Sequence, residues 1–278
     1  MRTIALLSRK GGVGKTTTLF NLSVALAELG RRVLSVDLDS LVALTRWCGQ
    51  LQPGAPSLVE ALCGRLPLAA IVSATAFEGL WIAPSSPGIV AVERSDALAP
   101  GRQRADGGLR VDSLAEELAA VAGEFDYALL DCPSGHLFME QLALMAADEV
   151  IIPTGPSVLD LYGAAPTLQL VALTQQRRGD GRPTLLGFLP NEIERAGVPE
   201  AMRQALDQYG LPCFSPIRQS TLLRTLPGRP EVRERSILHV RAANPAAQSF
   251  RTLAREIDTG IAVTFDREPA STTAGDLA

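Results

Sequence analysis

Ser8-Arg9-Lys10-Gly11-Gly12-Val13-Gly14-Lys15-Thr16-Thr17-Thr18 closes an apolar run, Thr3–Ser8, and opens a segment of helical period, Thr16–Leu29. A strand, a glycine-rich turn and a helix in that order make a phosphate-binding loop. Glycines let consecutive backbone N–H groups converge on an anion, and the positive end of the helix dipole adds to the attraction. Gly11, Gly12, Val13 and Gly14 therefore form the candidate cradle, continued by Lys15, Thr16 and Thr17. Lys15 is placed to reach the β and γ phosphates of a nucleotide, and the Thr16 hydroxyl to ligate Mg²⁺.

Lys10 and Lys15 are also the only lysines in 278 residues; the other 24 of the 26 cationic side chains are arginines. Arginine replaces lysine at most surface and phosphate-facing sites. Within a ring of backbone amides, a compact ammonium fits where a broad guanidinium does not. Both lysines thus read as positions where the chemistry resists the exchange.

Outward from the loop, apolar runs alternate with helical segments. The expected strands are Thr3–Ser8, Val33–Asp37, Leu80–Ala83, Tyr127–Asp131, Glu149–Pro153 and Leu185–Pro190, with a further short one near Cys213–Ile217. The expected helices are Thr16–Leu29, Leu109–Ala122, Met139–Ala147, Leu159–Gln176, Pro199–Tyr209 and Ala246–Ile261. Strands apolar on both faces and separated by helices predict an α/β fold, a mostly parallel β-sheet flanked by helices on both faces. Ligands bind such sheets at the carboxyl ends of the strands. The stretch Gly49–Ala76 is less regular, and Pro100–Gly108 reads as a loop. One domain over 1–265 is expected, followed by a small, polar, disordered tail over 266–278.

Composition narrows the class. An apolar fraction of 46% with 20% charged residues fits a soluble globular chain with a large core. A net charge of −4 gives no global attraction to nucleic acid. Four widely spaced cysteines without a C-x-x-C pair argue against zinc and against a disulfide framework, so reduced thiols in the cytosol are expected. There is no secretory signal and no run of about 18 apolar residues, so no membrane span is expected.

The general phosphate loop carries glycine five residues before Gly14, where this chain has Arg9. The string Lys10-Gly11-Gly12-Val13-Gly14-Lys15-Thr16-Thr17 instead resembles the deviant Walker A motif of the ParA/MinD family of P-loop ATPases. The resemblance implies that Lys15 acts in cis, while Lys10 reaches the phosphates bound by the partner in a nucleotide-sandwich dimer. Val33-Leu34-Ser35-Val36-Asp37-Leu38-Asp39 is similar to the family's D-x-D strand, which implies that Asp37 supports the Mg²⁺ shell and Asp39 orients the attacking water. Tyr127-Ala128-Leu129-Leu130-Asp131-Cys132-Pro133 resembles the Walker B strand, with Asp131 holding Mg²⁺ through water. Leu80–Asp96 looks like the third strand and its turn, and Thr154–Ala164 looks like plasmid-type ParA proteins at the same place. By the same likeness Asn191 and Pro216 would contact adenine. After Asp39 the family commonly continues Pro-Gln-Gly-Asn, whereas this chain reads Ser40-Leu41-Val42-Ala43, a change expected to affect the hydrolysis rate more than nucleotide binding.

Between Arg218 and Arg255 lie eight arginines against Glu231 and Glu234, a local charge of +6, with −10 over the rest. Such asymmetry is an electrostatic footprint for a phosphate backbone. Arg218, Arg224, Arg233, Arg235 and Arg241 are the candidate DNA contacts, as ParA-type proteins use basic residues of their C-terminal half to hold nucleoid DNA. The chain starts at its first strand, without a helix-turn-helix module, and its end is not a basic amphipathic helix, which weighs against a membrane-surface protein. The resemblance thus implies a cytoplasmic, nucleoid-associated ATPase that uses ATP and Mg²⁺, dimerises when ATP-bound, holds DNA non-specifically and positions DNA or another cargo. A ParB-like or adaptor protein would stimulate its hydrolysis. The alternatives are an ATP-dependent metabolic enzyme on the same fold, a ligase or a reductase component, and a slow-hydrolysing nucleotide switch.

Overall fold

The computed structural model describes residues 1–89, 92, 110–161, 163–226 and 235–260. Its strands are β1 (Arg2–Leu6), β2 (Val33–Asp37), β3 (Ser73–Ala74), β4 (Leu80–Ala83), β5 (Tyr127–Asp131), β6 (Glu149–Thr154) and β7 (Thr184–Pro190). They form one sheet in the order β3-β4-β2-β5-β1-β6-β7. Every neighbouring pair is parallel except β3 with β4. The central strands β2 and β5 are buried at all five positions, which is why they read as mostly apolar runs.

Two apolar layers lie on the two faces, and adjacent residues of one strand feed opposite layers. Ile4 and Leu6 of β1 join Phe20, Trp47 and Phe250, whereas Ala5 and the following Leu7 join Leu34, Val36 and Leu142. Helix α1 (Lys15–Glu28) packs against the C-terminal helix Pro245–Thr259 in the first layer. On the other face lie the helices Ser113–Ala120, Leu137–Ala146 and Ala164–Arg178. Local chemistry fixes the ends of these helices. Asn244 caps the last one by accepting from the Ala246 N–H at 2.9 Å, Pro245 fills its first position, and Gly260 ends it at φ 71. Gly179, at φ 72, does the same after Arg178.

Three expectations need correcting. Cys213–Ile217 is not a strand: it meets β7 and its extension through isolated bridges, Phe188 to Cys213 and Ile193 to Arg218, and a hydrogen bond from the Ile217 N–H to the Pro190 carbonyl at 2.8 Å. Pro212 and Pro216 have no N–H to give, so the ladder cannot run on. The helix expected over Leu159–Gln176 is two, Val158–Leu161 and Ala164–Arg178. Gly163 at the junction lies against the phosphate loop, where a Cβ would sit 2.7 Å from that of Lys10. The antiparallel edge strand β3 was not expected, being too short for any periodicity to show. The loop Pro100–Gly108, the end of the Leu80–Asp96 stretch and the tail 266–278 lie outside the described residues. Among the described residues no helix is long and apolar enough to cross a membrane.

Candidate functional site

The carboxyl ends of β1, β2 and β5 meet at a cleft of about 680 Å³. The glycine loop forms one wall. Gly12 and Gly14 hold φ of 76° and 82°, a left-handed backbone open to glycine and strained for most other residues. Gly14 is also the N-cap of α1, and no side chain caps that helix, so its first-turn N–H groups open onto the cleft.

Lys15 is folded into the loop and only 8% exposed. Its Nζ donates to the Ser8 carbonyl at 3.1 Å and to the Ser134 hydroxyl, with the Lys10 carbonyl at 3.5 Å. Burial lowers its pKa, opposed by the negative charge of Asp131. A phosphate cradle lined by a desolvated ammonium is an anion site.

Asp37 and Asp131 are register partners on β2 and β5, and both are fully buried. Asp37 is well served: it accepts from the Thr45 N–H at 2.9 Å, from the Thr45 hydroxyl at 2.6 Å and from the Asp39 N–H at 3.1 Å. Burial nevertheless pushes it up to about 6. Among the described residues neither Asp131 oxygen has a hydrogen-bond partner. Burial, reinforced by the neighbouring Asp37 and Asp39, drives its pKa well above the carboxylate range, with Thr16 and Lys15 pulling the other way. An orphaned buried carboxyl costs about 1–3 kcal/mol or more unless a cation or donor answers it. A hard divalent cation beside the Thr16 hydroxyl answers it, and Mg²⁺ takes just one or two carboxylates, leaving its other positions to phosphates and water.

Asp39 lines the cleft with Ser40 and Leu41 and accepts from the Leu41 N–H at 2.9 Å. Lys10 stands on the outer rim, half-exposed, and pairs with Asp160. Asn191 is buried beneath the loop, its amide donating to the Val13 carbonyl at 2.7 Å and to the Thr18 hydroxyl at 3.1 Å. It also borders the cleft; Pro216 does not, but its neighbour Ile217 forms an apolar end there with Leu223 and Phe250.

The arginines divide. Arg218 and Arg224 line this same cleft, bound to the Glu194 carbonyl at 2.7 Å and to the Glu192 carboxylate at 2.6 Å. Arg235 and Arg241 are exposed and make no ion pair among the described residues, while Arg233 lies outside them. Sequence reasoning missed Ser134 and Glu192. Ser134 touches Lys15 across 119 positions, and Glu192 holds a left-handed φ of 58°, which no pattern of residue types announces.

A family model described as "AAA domain" matches residues 1–181, and named relatives of the ParA type match 176 and 174 residues of the chain. The chain belongs to the ParA/MinD family of P-loop ATPases. It is 31% identical over 176 residues to the chromosome partitioning protein ParA of Myxococcus xanthus, covering 63% of this chain and 59% of that one. It is 33% identical over 174 residues to the sporulation initiation inhibitor protein Soj of Bacillus subtilis, covering 62% and 66%. The chain therefore matches less than two thirds of the length of these ParA relatives. Among solved structures, cobyrinic acid a,c-diamide synthase of Mycobacterium smegmatis with bound ADP and magnesium superposes with a TM-score of 0.73 at 29% identity, covering 94% of this chain and 97% of that one. Apo McdA of Cyanothece gives 0.77 at 23% identity, over 92% and 99%, a likeness of fold alone. The chain sets a second lysine, Lys10, at the head of its phosphate loop.

Proposed function

We propose that this chain is a ParA-type ATPase whose ATP-bound form is a sandwich dimer that holds DNA without sequence preference and releases it when a partner protein stimulates hydrolysis. One observation carries the reading: the orphaned Asp131 carboxyl stands beside Thr16 and Lys15 at the mouth of a glycine cradle, with a second lysine, paired to Asp160, on the rim. Mg²⁺ bound with ATP supplies charge neutralisation at the β and γ phosphates. The backbone amides of Gly11–Thr17 hold the phosphates, and Lys15 neutralises them from below. Thr16 and Asp131 hold the metal's shell, with Asp37 bracing Asp39 and Thr45 beside it. Asp39 orients the attacking water, a task that needs position and field more than basicity.

Dimerisation has its own support. Leu41, Leu137 and Leu159 are 74%, 42% and 64% exposed and follow the carboxyl ends of β2, β5 and β6, around the same rim as Lys10. Exposed apolar side chains gathered on one edge suit a protein contact. For DNA, Arg235 and Arg241 are the better candidates, because Arg218 and Arg224 already serve the cleft. Together with a cytoplasmic, nucleoid-associated location, this is the whole of the first reading.

A DNA titration at increasing salt tests it. Binding of the ATP-bound protein should fall steeply with salt, and Arg235→Ala and Arg241→Ala should each lower the logarithmic slope by about one. Binding that is indifferent to salt contradicts the proposal, as does a protein indifferent to both substitutions.

The likeness to the diamide synthase structure favours a second reading, an ATP-dependent ligase acting on a small carboxylic acid. Amide product from an acid, ATP and an ammonia donor supports that reading; ATPase activity stimulated by DNA and a partner supports the first. Turnover that stays negligible with every partner leaves a nucleotide switch.

A further inference from the structure

Glu140 sits in the first turn of the helix Leu137–Ala146, inside a run that is otherwise apolar apart from Gln141. Its side chain is fully buried. A buried carboxylate is tolerated where partners meet it, and two do. Oε1 accepts the Gly135 N–H at 2.8 Å, and Oε2 lies 3.2 Å from Nε of Arg9. Among the described residues Oε2 has no hydrogen-bond partner, and the Arg9 ion pair alone is recorded against it.

Those partners belong to two different parts of the cleft. Arg9 is the residue that stands where the general phosphate loop has glycine, and its own N–H is tied to the Thr167 hydroxyl at 3.2 Å. Gly135, with φ 79°, forms the turn after Asp131, between Ser134 and His136, both of which line the cleft. Ser134 in turn contacts Lys15 and lies 3.4 Å from the carbonyls of Ser8 and Lys10. A continuous line therefore runs from the Arg9 guanidinium through Glu140 and the Gly135 amide to Ser134 and Lys15.

We propose that Glu140 is a positioning residue that, anchored by Arg9, locks the Ser134–His136 turn to the phosphate loop, so that the two present Lys15 and the cleft wall in one fixed geometry. Its consequence for turnover rests on the reading of the cleft as an ATPase site; the coupling itself does not. A glutamate serving only as a helix cap would keep its value as glutamine, since the amide oxygen still accepts from Gly135. The charge held by Arg9 would be lost.

The test uses the full chain with Arg9→Gln, Glu140→Gln and the double substitution. Amide hydrogen exchange over residues 132–138 is followed without nucleotide, and kcat and KM for Mg-ATP are measured alongside. Each single substitution should speed exchange in that segment about tenfold and lower kcat about tenfold, with KM within about threefold. The double variant should match the singles, because both break one unit. Unchanged exchange in Arg9→Gln overturns the proposal, and so does an effect seen with Glu140→Ala alone while both glutamine variants behave as wild type. Should the Glu140 variants fold poorly, Arg9→Gln, at a third-exposed position, decides the matter unaided. A wild type that never hydrolyses ATP defeats the functional reading while the exchange data still judge the coupling.

Discussion

Asp131 is held at a cost the nucleotide-free protein cannot recover alone. Both Asp37, raised to about 6, and Asp131, raised well above the ordinary carboxyl value by burial, bind their protons more tightly folded than unfolded. The stability they contribute is fully present below the unfolded carboxyl value of 3.8 and is lost as pH rises through 6 and above. Asp131→Asn removes a carboxyl whose charged form burial disfavours. At pH 8 the nucleotide-free variant should melt several degrees above wild type, since relief of about 1–3 kcal/mol moves a domain of this size by about 2–4 °C per kcal/mol. At pH 4.5 the difference should shrink, and Mg²⁺-dependent nucleotide binding should be lost. A variant that melts lower than wild type at pH 8 contradicts the orphaned-carboxyl account. This aspartate was legible in the sequence because a lone acid ending an apolar strand is conspicuous. Ser134 and Glu140 were not, because their meaning lies in contacts with Lys15 and Arg9, more than a hundred positions away.

Among the elements, the turn from Asp39 to the helix Ala43–Trp47 carries visible strain. Val42 caps that helix at φ 48°, where the resembling family has glycine, and a β-branched residue is a poor fit to a left-handed backbone. Its side chain is nevertheless 1% exposed, so packing holds it there. Val42→Gly would forfeit about 1.5–3 kcal/mol of burial and about 0.5–1 kcal/mol of backbone entropy, while releasing about 1–2 kcal/mol of strain. Urea denaturation should therefore show a loss of about 1–2 kcal/mol, less than a buried valine usually costs. A loss of 4 kcal/mol or more contradicts the strain. The turn was half legible: the departure from glycine stood out, but the retained left-handed backbone did not. Strands β2, β4 and β5 were read to the residue, since burial on both faces writes itself as an apolar run. The break before Ala164 and the bridged segment Cys213–Ile217 were misread, because Gly163 answers to Lys10 and Pro216 to a ladder that must stop.

At the scale of the whole molecule, the features gather on one edge of the sheet. The glycine cradle, the paired aspartates, the exposed Leu41, Leu137 and Leu159, and the Lys10–Asp160 pair all follow the carboxyl ends of strands. Favouring a dimer over a monomer is a population shift, driven only by contacts that the nucleotide adds to one state. Lys10 must then leave Asp160 for phosphates held across the interface. The most direct measurement is the mass of the protein by size-exclusion chromatography with light scattering, with and without Mg²⁺ and a non-hydrolysed ATP analogue, for wild type and Lys10→Ala. The account predicts that wild type doubles its mass only with the analogue, and that Lys10→Ala stays monomeric while still binding nucleotide. A wild type that remains monomeric, or a Lys10→Ala that dimerises as readily, contradicts it.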